Sequence, residues 1–75
     1  MTYKEPNNLD RAAWAETALD AFRAETGTDR EDAVCDLLCD LMHLCAFKSD
    51  IYGDFNVQQK RGAGHFQCET EEDLN

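Results

Sequence analysis

Basic residues, proline and long apolar runs are all scarce in this chain. Its 75 residues hold 7 Lys+Arg against 16 Asp+Glu, with one proline and four glycines. The shortage of cations leaves a formal charge of −9. That sign disfavours attraction to nucleic acid or to an anionic membrane, both of which repel it. A basic partner surface is the natural counterpart. No run approaches the ~18 consecutive apolar residues of a membrane-spanning helix, so no membrane partner is expected. The start, MTYKEPNNLD, has no apolar core of a secretory leader. A cytoplasmic location follows as an expectation. In that compartment Cys35, Cys39, Cys45 and Cys68 are reduced thiols rather than disulfides.

What is present suffices for a small fold. The chain is 43% hydrophobic, with four Phe, two Tyr and one Trp, richer than a disordered segment of this charge. At this length it buries only about 60% of the surface its unfolded form exposes. It is too short for a Rossmann, TIM-barrel or hydrolase scaffold. Residues 1–75 read as one acidic domain, with a polar lead-in over 1–8, a core over 9–69 and a frayed acidic tail over 70–75.

The apolar spacing predicts an all-α fold, a small helical bundle built on an αα-hairpin with a weaker C-terminal helix. From Leu9 to Thr26, Ala12, Ala15, Leu19 and Phe22 recur at helical intervals, and Ala13, Ala18 and Ala21 add propensity. Asn7 and Asn8 supply N-cap side chains, and Gly27 stops the helix. Trp14 lies to one side of the stripe. Thr28 and Glu31 fit a capping box for a second helix over about 29–47. There Val34, Leu37, Leu38, Leu41, Leu44 and Cys45 span roughly 120° of arc, the width of a core-facing stripe. Residues 48–54 read as a connection punctuated by Gly53. Residues 55–69 read as a helix capped by Asp54, with Phe55, Gln59, Gly62 and Phe66 on one face. The alternative is a β-hairpin in which FNVQQ and HFQCE flank a KRGAG turn.

Three side-chain constellations bear on function. Asp29, Asp32, Asp36 and Asp40 fall within about 80° on the second helix, and the last three repeat every ~6 Å. That repeat is close to the separation of phosphates along a nucleic-acid strand, so the row suits a groove lined by lysines and arginines. Glu31 is taken as an extension of that surface. The plain alternative is a solvated face. Second, Cys35, Cys39 and His43 on this helix, with His65 and Cys68 on the next, form a candidate zinc-ligand set. No C-x₂-C knuckle supports it, and the plain alternative is packing: Cys35, Cys39, Met42 and Ala46 form a secondary apolar edge suited to Trp14 or a second copy of the chain. Third, His43 near the acids suits a pH-sensitive surface, and Lys60 and Arg61 with Gly62 and Gly64 form a short basic patch that lacks P-loop spacing.

The stretch DREDAVCDLLCDLMHLC, followed by DF and GHFQCE, resembles small acidic proteins of phages, plasmids and other bacterial mobile elements. They share a DLLxDLMH…DF…AxH[FY]xxE pattern, matched here by Asp36, Leu37, Leu38, Asp40, Leu41, Met42, His43, Asp54, Phe55, Ala63, His65, Phe66 and Glu69. The match covers roughly residues 29–70. Proteins of this size, charge and origin are similar to anti-defence proteins, including anti-CRISPR inhibitors. The resemblance implies no catalytic residues. Its implied role is a monomeric or dimeric binding protein, not an enzyme, that mimics nucleic acid on a positively charged groove of a bacterial RNA-guided complex. The alternative is a dimeric regulatory or adaptor protein of a mobile element, held by the Cys35/Cys39/Met42 edge, with or without zinc.

Overall fold

A computed structural model describes residues 5–73. Three long helices and a one-turn helix follow in order: α1 Asn8–Thr26, α2 Arg30–Phe47, α3 Ser49–Tyr52 and α4 Phe55–Asp73. No strand forms among the described residues, so the fold is all-α and the hairpin alternative for residues 55–69 is not adopted. The chain divides into two compact units, Met1–Val34 and Cys35–Asn75.

The first unit contains α1 and the opening turn of α2. Asn7 caps α1 with a reciprocal capping box: its side chain accepts from the Asp10 N–H at 2.9 Å, and the Asp10 carboxylate accepts from the Asn7 N–H at 3.1 Å. Two orphan donors at the helix start are thereby satisfied. The helix ends where Gly27 takes φ 75° and donates to the Arg23 carbonyl at 2.8 Å. Arg23 holds the turn from the side, donating through Nε to the Thr28 carbonyl at 3.1 Å. Leu19 and Phe22 of the expected stripe are half-buried, whereas Ala12 and Ala15 are exposed and Trp14 is 61% exposed. α2 begins at Arg30, one residue later than a Thr28/Glu31 capping box places it, and the Asp32 N–H bonds the Asp29 carbonyl at 3.1 Å.

The second unit contains most of α2 together with α3 and α4. The connection expected over 48–54 includes a helical turn, Ser49–Tyr52, whose N–H groups at Ile51 and Tyr52 both reach the Lys48 carbonyl. Gly53 then turns the chain with φ 81°. A Cβ there would meet Gln58 Nε2 at 3.0 Å, and that amide donates to the Tyr52 carbonyl at 3.0 Å. The positive φ is what requires glycine at Gly53, while a Cβ would also press on the end of the Gln58 side chain. Asp54 starts α4 as expected, accepting from the Val57 N–H at 3.3 Å. α4 continues through the expected tail to Asp73; residues 74 and 75 lie outside the described residues, as do residues 1–4 of the lead-in.

The buried apolar residues are few. Among the described residues, Ala33 at 0% and Cys45 at 9% exposure form the core of α2. Leu37 and Leu44 are half-buried, but Val34, Leu38 and Leu41 are exposed. The single core-facing stripe expected of α2 therefore divides into a covered edge and an open one. Leu41, Leu44 and Cys45 line a shallow hollow with Ile51, Tyr52 and Phe55. This clustering explains why Cys45 is buried although Leu38, two turns earlier on a similar bearing, is not.

Candidate binding surfaces of α2

An α-helix turns 100° per residue, which places the side chains of α2 in three sectors. Asp32, Asp36 and Asp40 lie within about 40° of one bearing, with Asp29 just before the helix and His43 on the same side. Asp29, Asp32 and Asp40 are exposed, and Asp36 is half-buried. Among the described residues, Asp29, Asp32 and Asp40 make no ion pair, while Asp36 is already engaged within the chain. Glu31 is exposed but lies about 140° around the helix from Asp36. It belongs to the opposite side and does not lengthen the row.

The absence of ion pairs at Asp32 and Asp40 among the described residues has a local cause. Neither has a lysine or arginine three or four residues away, so no helix-spaced cation offsets them. An ion pair forms elsewhere, Arg23 Nη1 to Asp20 Oδ1 at 4.0 Å, with the Asp20 side chain 60% exposed. Such a surface pair contributes little stability. Lys60 and Arg61 of the basic patch sit on α4, exposed.

The second sector is the covered edge, Ala33, Leu37 and Leu44. The third is the open edge, where Leu38 is 48% and Met42 53% exposed, beside exposed Cys35, Cys39 and Leu41. The expected Cys35/Cys39/Met42 edge is thus present and broader than foreseen. Its signal was in the sequence: the apolar positions of α2 run from Ala33 around to Cys39, about 240° of arc. One core-facing stripe does not need so wide an arc.

The candidate zinc ligands are not gathered. Among the described residues, no group of three or more His, Cys, Asp or Glu side chains is placed to hold a metal ion. Cys35, Cys39 and His43 remain at helical intervals on α2, and His65 and Cys68 on α4. All five are exposed. Nor do these side chains form a nucleophile–base pair, since none of the thiols or imidazoles takes part in a side-chain hydrogen bond among the described residues. No described helix is long and apolar enough to cross a membrane. Compared with known protein families, curated proteins and solved structures, the chain has no match.

Proposed function

We propose that this chain is a non-enzymatic binding protein whose acidic row on α2 occupies a positively charged, nucleic-acid-handling surface of a partner. The observation that carries this reading is the exposure of Asp29, Asp32 and Asp40 along one side of a helix, with no ion pair among the described residues. Carboxylates fixed on a helix lose little conformational freedom on binding. Asp32 and Asp40 stand about 12 Å apart along the helix axis, roughly two phosphate steps, a separation at which they can meet the same lysines and arginines. The net charge of −9 adds long-range steering toward such a groove.

The resemblance to small acidic mobile-element proteins supports a particular setting: inhibition of a bacterial RNA-guided defence complex by blocking its nucleic-acid groove. The test uses the exposed members of the row. Asp32→Lys/Asp40→Lys reverses both charges while leaving half-buried Asp36 in place. Wild type is expected to compete with target DNA for the complex, more weakly as salt rises, and the variant to lose that competition with its helical circular dichroism unchanged. Equal competition by both proteins would reduce the row to a solvated face.

A further inference from the structure

We infer that Cys35, Cys39 and Met42 of α2 form a site for a soft monovalent metal ion, copper(I), held by two thiolates and a thioether. The three are the exposed sulfur-bearing residues of this helix; Cys45 is buried. They share one side of it: at 100° per residue, Cys39 lies about 40° from Cys35 and Met42 about 20° to its other side. Neither thiol takes part in a side-chain hydrogen bond among the described residues.

The spacing lets one ion touch all three. Cys35 and Cys39 stand a turn apart, so their Cβ atoms are ~5–6 Å from each other. With metal–sulfur bonds of about 2.3 Å, two sulfurs on one ion lie at most ~4.6 Å apart, a separation that thiol rotamers reach from those Cβ atoms. Two histidines at the same i, i+4 spacing on a helix grip a single zinc ion in this way. Helical side chains lean toward the N-terminus. Met42, three residues past Cys39, therefore reaches back toward the pair on three rotatable bonds.

Ligand number selects the ion. A structural zinc site takes four ligands in a tetrahedron, and one straight helix brings only adjacent turns onto a single ion. Glu31 and His43, a turn beyond Cys35 and Cys39, stand about 18 Å apart along the axis, too far to complete such a tetrahedron. A closed-shell copper(I) ion accepts as few as two or three ligands, and thiolate and thioether donors select it. Binding sends two S–H protons to solvent and transfers no electron. The site lies within two turns of α2, so it depends neither on how the rest of the chain is arranged nor on what the acidic row binds.

Anaerobic titration of the copper(I) complex of bathocuproine disulfonate with the reduced full chain tests the site. Wild type is expected to withdraw one copper(I) per chain, read as loss of the complex's visible absorbance, and native mass spectrometry to find the metal on a single 8.5 kDa chain. Cys39→Ser should lose the withdrawal, and Met42→Leu should need more protein to achieve it, both with helical circular dichroism kept. Cys68→Ser removes another exposed thiol and leaves the same number of cysteines as Cys39→Ser, yet it should match wild type. The inference is overturned if wild type withdraws no copper(I), or if Cys39→Ser or Met42→Leu withdraws it as well as wild type. Loss of withdrawal in Cys68→Ser, or copper found only on a two-chain species, overturns it equally.

Discussion

Four glycines sit in this chain, and their environments divide them into two kinds. Gly27 and Gly53 hold positive φ, 75° and 81°, where an L side chain is strained by about 1–2 kcal/mol. Gly62 and Gly64 lie inside α4, where an added Cβ meets nothing within 4 Å. Glycine there costs about 0.5–1 kcal/mol relative to alanine, because the unfolded chain has more freedom to lose. Gly27→Ala should therefore lower the melting temperature by several degrees. Gly62→Ala and Gly64→Ala should each raise it, at about 4–8 °C per kcal/mol for a domain of this size. Thermal unfolding followed by circular dichroism checks both signs. The role of Gly27 was legible because it follows an uninterrupted helical pattern. The Asp54 cap of α4 was legible as well, whereas the Gln58 bond to the Tyr52 carbonyl beside it was not, since sequence spacing does not display such a contact.

At the scale of elements, periodicity located α1 and α2 to within a residue or so, and the capping chemistry of Asn7 and Asp54 was readable directly. α4 was less certain, because its apolar positions are thin enough to suit a hairpin as well. Periodicity also states which residues share a side of a helix without saying which side is covered. Val34, Leu37, Leu38, Leu41, Leu44 and Cys45 look equivalent as a stripe, yet Cys45 is 9% exposed and Leu38 48%. The difference comes from α3 and the start of α4, whose Ile51, Tyr52 and Phe55 line the hollow beside Cys45. That clustering gives the thiol a structural task. Cys45→Ser should destabilise the protein by about 1–2 kcal/mol, since a hydroxyl is costlier than a thiol to bury without a partner. Urea unfolding measures the loss. In thiol labelling, exposed Cys68 should react in the native state and Cys45 only on unfolding.

At the scale of the whole molecule, the charge of −9 separates into parts with different consequences. Asp20 is paired with Arg23, and Asp36 is engaged within the chain. Asp29, Asp32 and Asp40 are exposed on one side of the helix, and the apolar residues on its other side divide into a covered edge and an exposed one. Sequence spacing showed the row itself, whereas Glu31, counted with it, lies across the helix. The five Cys and His residues of the candidate zinc set looked adjacent by type, but the fold leaves them in separate stretches of α2 and α4. The account centres on the row as a stand-in for phosphates. Its most direct measurement is fluorescence anisotropy of labelled target DNA binding to a panel of purified bacterial RNA-guided complexes, with wild type or Asp32→Lys/Asp40→Lys as competitor. The account predicts that wild type displaces DNA from at least one complex, with an affinity that falls as salt rises, and that the variant displaces none. Displacement by both proteins alike, or by neither, would contradict it.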